Sequence, residues 1–168
     1  MKTNITQLMN LISEYERQLQ DVGYDIRSHV INTSIIELDG KVNIVEDNKE
    51  VFNDQLEIIE ELSNKISLLK GILYEKNNTF KLSDGRTIQT AIVENTVLRR
   101  LISIYESIIV FRNSKKRVSE INFPYFECKE VNYDLNDIKS KINEIDSKLQ
   151  QTDFEISKLN SLEFEISL

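Results

Sequence analysis

Four segments of the chain repeat apolar residues at alternating steps of three and four, the spacing of a helix that packs along other helices. The first covers residues 4–27, and the others cover 47–76, 87–114 and 133–159. The chain has only one Pro and four Gly among its 168 residues, so few positions interrupt these helices. The pattern predicts an all-α fold, an elongated bundle of four long heptad-patterned helices, as a single domain over residues 1–168.

Two short segments have the alternating pattern of strands instead. Asp39-Gly40 lies between alternating apolar residues, which predicts a small β-hairpin at about 35–45. Residues 162–168 also alternate, which predicts a short C-terminal strand able to pair with that hairpin. Pro124 bars a helix from residues 121–131, so we predict an extended linker there.

The third predicted helix carries apolar residues on two sides, which predicts that it is the most buried of the four. Asn95 falls within one of these stripes. A buried Asn in a helical seam commonly fixes register or oligomeric state. We favour that role for Asn95 over a catalytic one.

The net charge of −7 is unfavourable for a nucleic-acid-binding protein, which gains affinity by neutralising phosphates. The one basic cluster contains Arg112, Lys115, Lys116 and Arg117, and an exposed helix end explains it. No apolar run approaches the roughly 18 residues that span a bilayer, and no signal region follows the N-terminus. We therefore predict a cytoplasmic protein with no nucleic-acid and no membrane partner.

The sequence offers few groups for catalysis or metal binding. It has one histidine, His29, and one cysteine, Cys128, so a site built from several His and Cys ligands is excluded. A di-iron site in a bundle needs Glu-x-x-His pairs, and Ile26 stands three residues before His29. We predict no catalytic residue, no metal and no cofactor, which favours a protein that is not an enzyme.

One loop is a candidate for ligand binding. Asp84-Gly85-Arg86-Thr87 combines a turn, a cation and the start of a helix, an arrangement that can hold an anion. Glu94 lies two turns further along that helix. The candidate ligand-binding residues are therefore Asp84, Arg86, Thr87 and Glu94. A turn followed by a helix cap explains the same residues without a ligand.

The same loop carries a resemblance to a known family. Residues 77–79 read Asn-Asn-Thr and residues 82–88 read Leu-Ser-Asp-Gly-Arg-Thr-Ile, and Ser119-Glu120-Ile121 follows the third helix. Over most of its length the chain resembles the septicolysin-like family of small bacterial helical proteins of unknown function. The resemblance implies a helical oligomer and supplies no established activity.

Three functions remain open from the sequence. Apolar seams in every helix favour a non-catalytic oligomeric scaffold or protein-interaction module. We expect a homo-oligomer and leave a further protein partner open. The first alternative is a small-ligand or anion-binding protein or enzyme that uses the Asp84–Arg86 loop. The second alternative, suggested by the family label, is a cytolysin-like membrane-active protein.

Overall fold

A computed structural model describes residues 2–119 and 123–166. Four α-helices dominate it: α1 (Ile5–Asp25), α2 (Lys49–Thr79), α3 (Ile88–Ile108) and α4 (Leu135–Asn160), with a 3-10 turn at Ile26–His29. Six short strands accompany them: β1 (Lys2–Thr3), β2 (Thr33–Ile36), β3 (Val42–Glu46), β4 (Ser114–Val118), β5 (Tyr125–Lys129) and β6 (Phe164–Glu165).

The chain divides into two compact units. Unit 1 contains residues 1–79 and 160–168, and unit 2 contains residues 80–159. Each unit has its own buried residues and is described by itself. The single domain expected over residues 1–168 stays a prediction.

The predicted all-α bundle of four long helices with one hairpin is wrong. Within the described residues the strands form three two-stranded antiparallel sheets, β1–β6, β2–β3 and β4–β5, so the fold is mixed although helices dominate it. A hairpin does form around Asp39-Gly40, with Ile36 opposite Val42 and Ser34 opposite Ile44. Gly40 there has a φ of +87°, a left-handed conformation that glycine adopts without steric cost.

The hairpin β4–β5 replaces the end of the predicted third helix and much of the predicted linker at 121–131. Helix α3 stops at Ile108, six residues short of the predicted end. The next segment, Ser114–Val118, pairs with Tyr125–Lys129, where aromatic residues favour a strand. Pro124 stands immediately before β5, a position where its missing N–H costs no ladder bond. Residues 121 and 122 of the predicted linker lie outside the described residues.

The C-terminal strand does not pair with the β2–β3 hairpin. β6 pairs with β1 instead, with Thr3 opposite Phe164 and Lys2 opposite Glu165. The physical reason is apolar burial in unit 1, because Ile166 lies in a cluster with buried residues of α1 and α2. Positions 167–168 of the predicted strand are outside the described residues.

Unit 1 is held by the pairing of α1 with α2. The Asn4 side chain caps α1 by accepting a hydrogen bond from the Gln7 backbone N–H at 2.9 Å. The central apolar cluster contains Leu8, Ile12, Leu69 and Ile166, and partly buried Leu11, Tyr15, Ile72, Leu73 and Phe164 pack against it. The apolar seam of α1 is fully buried only over its first turns, and its later members, Tyr15, Leu19 and Val22, are half-buried.

Unit 2 buries less of its helices than the heptads predict. In α3 the buried residues are Ile88, Ala91 and Asn95, all in the first two turns. Val97 is 63% exposed and Ile104 is 49% exposed, so the apolar stripe of α3 is not covered along its whole length. That α3 is the most buried of the four helices stays a prediction. In α4 only Leu149 and Thr152 are buried. An apolar stripe identifies one side of a helix, but it does not say how much of that side is covered.

The apolar cluster of unit 1 gives a first prediction. Leu8 is fully buried, so Leu8→Ala removes packing and leaves a cavity, and we expect the free energy of unfolding to fall by about 2–5 kcal/mol. The adjacent residue Met9 is 49% exposed, and Met9→Ala is the control with an expected change below about 1 kcal/mol. Urea titration followed by circular dichroism measures both. Equal losses for the two variants would contradict this core.

Candidate functional site

The candidate loop is a tight turn that leads into α3. The Leu82 backbone N–H donates to the Arg86 carbonyl at 2.8 Å, and the Gly85 N–H donates to the Leu82 carbonyl at 3.0 Å. Gly85 has a φ of +88°. The Asp84 carboxylate accepts a hydrogen bond from the Arg86 backbone N–H at 3.0 Å, as Asp commonly does two residues ahead in a turn.

The same turn occurs between β2 and β3. The Glu37 N–H donates to the Lys41 carbonyl at 2.8 Å, and the Gly40 N–H donates to the Glu37 carbonyl at 2.9 Å. Asp39 accepts from the Lys41 N–H at 3.0 Å, as Asp84 does from Arg86. The Asp-Gly pair therefore specifies the turn at both places. The turn at Asp84 differs from the turn at Asp39 in the side chains that surround it.

Arg86 is the centre of that set. Its Nε donates to Asp84 at 2.8 Å, one terminal nitrogen lies 2.6 Å from the same carboxylate, and the other donates to Glu94. A longer contact of 3.4 Å reaches the hydroxyl of Thr152 on α4. The hydrogen bond from Arg86 lowers the pKa of Asp84, and the bonds to Asp84 and Glu94 raise the pKa of Arg86. The arginine is thus flanked by two carboxylates.

Glu155 on α4 holds the other side of the turn. One of its oxygens accepts from the Ser83 backbone N–H at 2.8 Å, and the other accepts from the Ser83 hydroxyl at 2.9 Å. The backbone N–H first, and the hydroxyl second, lower the pKa of the Glu155 carboxyl. Ser83, Arg86 and their partners therefore connect the turn to α4 by polar bonds.

Thr87 has a separate role at the start of α3. Its hydroxyl accepts from the Thr90 backbone N–H at 3.1 Å, which is a helix N-cap. The structure thus brings Asp84, Arg86 and Glu94 into one network and uses Thr87 as a cap beside it. No ligand contact follows from this geometry, and a ligand-binding role for these four residues stays a prediction.

Asn95 belongs to a second polar group between α3 and α4. It is 1% exposed, and its amide donates to Asp153 at 2.8 Å. Arg99 donates to the other oxygen of Asp153 at 2.6 Å. The Asn95 carbonyl oxygen is buried and has no hydrogen-bond partner among the described residues. This polar contact between two helices is the kind that fixes their register.

Sequence reasoning missed the α4 side of both groups. Thr152, Asp153 and Glu155 lie within one turn of α4, and they are the partners of Arg86, Asn95 and Ser83. One signal was present, because Thr152 is the polar member of an otherwise apolar seam. Charged residues beside a seam are common on solvated helices, and so Asp153 and Glu155 were not distinguishable from the others.

Hydrogen bonds from Ser83 and Arg86 hold the turn against α4, and ion pairs join Arg86 to Asp84 and Glu94. This network is called here the polar clamp. Among the described residues no three His, Cys, Asp or Glu side chains converge as a metal site would require. His29 lies in unit 1, where its Nδ1 is 3.1 Å from the Gln55 side-chain oxygen. Cys128 is exposed on β5. Neither residue joins the network around Arg86.

Comparison with known proteins identifies a family without assigning an activity. Residues 37–157 match a family described as a family of unknown function, DUF6847, and the chain belongs to it. Comparison with curated proteins gives no match. The resemblance to septicolysin-like proteins stays a prediction, because the family match does not concern it.

A solved structure supports the fold. The crystal structure of a functionally unknown conserved protein from Corynebacterium diphtheriae is similar, with a TM-score of 0.62 and 17% sequence identity. The match covers 98% of this chain and 100% of that one. Within residues 2–119 and 123–166, no helix combines the length and the apolar character needed to cross a bilayer. The cytoplasmic location stays a prediction.

The turn at Gly85 predicts opposite effects for one substitution at two glycines. Gly85→Ala forces a Cβ into the left-handed region, and we expect a loss of about 1–2 kcal/mol in the free energy of unfolding. Gly71 lies inside α2 with open space around it, so Gly71→Ala should add about 0.5–1 kcal/mol. Chemical denaturation of both variants checks the signs. A stabilising Gly85→Ala would contradict the described turn.

The clamp predicts a dependence of stability on pH. The folded pKa of Glu155 lies below its ordinary value of 4.5, so its contribution is fully present above pH 4.5 and is lost as the pH falls through the folded pKa. Glu155→Gln should lower the urea midpoint at neutral pH and should flatten its decline below pH 4.5. Glu106→Gln, at an exposed position on α3, is the control. A wild-type slope in Glu155→Gln would contradict the clamp.

Proposed function

We propose that this protein is a non-catalytic interaction module that assembles as a homo-oligomer on a helical framework. The observation that carries the proposal is the exposure of large apolar side chains in and beside its two hairpins. Those around the first hairpin are Ile35, Ile36, Leu38, Val42, Ile44 and Val45, and those around the second are Val110, Phe111, Phe123, Tyr125 and Phe126.

Such exposure is unusual for a chain that works alone. Monomeric soluble proteins rarely expose contiguous apolar patches larger than a few hundred Å², and larger patches commonly mark interfaces. The apolar side of α3 adds to them, since Val97 and Ile104 are exposed on a helix with heptad spacing. A two-stranded sheet is also marginal in water until another surface packs on it. Assembly covers these residues and stabilises the hairpins together.

The loop at Asp84 has less support as an anion site. Arg86 faces two carboxylates, Asp84 and Glu94, which cancel the positive potential that would attract an anion. An anion would have to replace ion pairs that already use most of the guanidinium donors. The same contacts support a structural role for the loop, because they connect the turn to α4.

The oligomeric state gives the direct test. At about 10 µM, a concentration well above the Kd of a stable assembly, light scattering coupled to size exclusion should give at least twice the mass of one chain. Dilution should shift the population toward the monomer. A protein that remains a monomer throughout would overturn the proposal. A rise in melting temperature with inorganic phosphate that Arg86→Ala abolishes would favour the anion-binding alternative.

A further inference from the structure

The outer edge of β4 is both unpaired and basic. β4 and β5 form a two-stranded sheet, and within residues 2–119 and 123–166 no further strand joins it. One side of β4 therefore presents backbone N–H and C=O groups that no neighbouring strand satisfies. Three consecutive cations, Lys115, Lys116 and Arg117, lie on this strand, and all three are exposed. The edge thus combines open hydrogen-bonding groups with positive charge.

The strand register distributes these cations over both faces of the sheet. One face carries two cations and no carboxylate, and its residues are Lys115, Arg117, Phe126 and Cys128. Lys116 lies on the other face, opposite Glu127, but Glu127 pairs with Lys129 at 3.5 Å. In the described part of the chain none of the three β4 cations forms an ion pair. Their charge is available to a partner.

We propose that an acidic, extended segment of a partner protein adds to the outer edge of β4 as a third strand. The backbone of the segment pairs with the open edge, and its carboxylates lie beside Lys115 and Arg117 on one face. Because side chains alternate along a strand, the segment carries carboxylates at two positions separated by one residue. Backbone pairing supplies affinity, and the charges select the segment.

The length and charge of β4 define what the edge accepts. Its five residues, Ser114–Val118, span about 17 Å at about 3.4 Å per residue, so a segment of about five residues covers the whole edge. A basic strand is repelled by the cations, and an uncharged strand gives them no partner. Charged edges prevent unselective pairing in this way. An acidic strand is the kind that these charges admit.

The geometry favours a peptide over a nucleic acid or an anionic membrane. Backbone donors and acceptors both occur along a strand edge, and an extended peptide pairs with both. Single-stranded nucleic acids stack bases on exposed rings. The one ring that β4 and β5 place on the Lys115 face is Phe126, and the Lys115 ammonium already lies 4.6 Å from its centre. A flat membrane would meet the cations of one face and leave Lys116 unused.

The strands of this chain do not match the required segment. Among the other described strands, β1 and β2 have no carboxylate, and β3, β5 and β6 have one each. Glu163 and Glu165 have the required spacing, but β6 contains only Phe164 and Glu165 and already pairs with β1. Two residues are fewer than strands usually have. The partner is therefore a different protein, and the inference goes beyond the proposed homo-oligomer.

Designed peptides test the proposal directly. The probe is a capped, fluorescein-labelled peptide, Thr-Glu-Val-Glu-Thr, in which valine favours a strand. Its fluorescence anisotropy should rise with wild-type protein, with a Kd below about 1 mM. A peptide with Gln for both Glu lacks the charges and should bind at least about tenfold more weakly. A peptide with Pro for Val keeps the charges but lacks a backbone N–H, and it should lose affinity to a similar extent.

A charge-reversed protein tests the two cations of one face. Lys115→Glu with Arg117→Glu should bind the acidic peptide at least about tenfold more weakly, a change of about 1.4 kcal/mol. The same variant should bind Thr-Lys-Val-Lys-Thr more tightly than the wild type does, and this gain shows that its hairpin is folded. Lys139→Glu with Lys141→Glu on α4 changes the net charge equally at exposed positions and should bind like the wild type.

Several results would overturn strand addition. They are no binding of the acidic peptide by the wild type, equal binding of the acidic and proline peptides, or equal binding of the acidic and glutamine peptides. An unchanged peptide preference in Lys115→Glu with Arg117→Glu would do the same. A single-stranded oligonucleotide or phosphatidylserine vesicles that bind the wild type and displace the peptide, while the proline peptide binds equally well, would assign the edge to a polyanion.

Light scattering on the same samples separates this inference from the proposed function. A monomeric wild type that binds the acidic peptide would overturn the homo-oligomer and leave the β4 edge contact in place. An oligomer that persists while the peptide fails to bind would overturn the edge contact alone. An oligomer that dissociates in Lys115→Glu with Arg117→Glu, and not in Lys139→Glu with Lys141→Glu, would assign the edge to a second copy and overturn the separate partner.

Discussion

The polar clamp around Arg86 and Ser83 is the interaction on which the organisation of unit 2 depends. Few residues of α3 and α4 are buried, so apolar contact alone gives little reason for a unique arrangement. The bonds from Arg86 to Thr152 and from Ser83 to Glu155 fix where the turn meets α4. Hydrogen bonds of this kind have directions, whereas apolar contact tolerates sliding. Unit 2 therefore gains its register from polar residues, and unit 1 gains its cohesion from an apolar cluster.

The sequence predicted the helices and the turns well, but it predicted poorly which residues contact the helices. Asp39-Gly40 predicted a turn because glycine tolerates the left-handed conformation, and the same reasoning located Gly85. Thr87 was identified as a helix cap from its position before α3. Each of these signals is local, since a few neighbouring residues determine the backbone. Asp153 and Glu155 became recognisable only through partners more than 50 residues away.

The bundle prediction failed because heptad spacing describes one helix and not its neighbours. Val97 and Ile104 continue the apolar stripe of α3 and yet remain exposed. Beyond Ile108 the change from helix to strand was hidden by Phe111, which extends the stripe in sequence but lies outside the helix. The helical period of 3.6 residues and the strand period of 2 residues are hard to distinguish over short apolar stretches. The β4–β5 hairpin was therefore assigned partly to a helix and partly to a linker.

The exposed hairpins are where the turn prediction succeeded and the bundle prediction failed. A hairpin of two strands gains little from its own ladder, and its side chains contribute stability only when another surface covers them. Natural proteins usually protect such strands with charge, because an uncharged exposed edge pairs with any strand it meets. Here the protecting charges differ in sign, since the β2–β3 hairpin carries mainly carboxylates and the β4–β5 hairpin carries mainly cations. Like charges repel, so these charges oppose the pairing of either hairpin with its own kind.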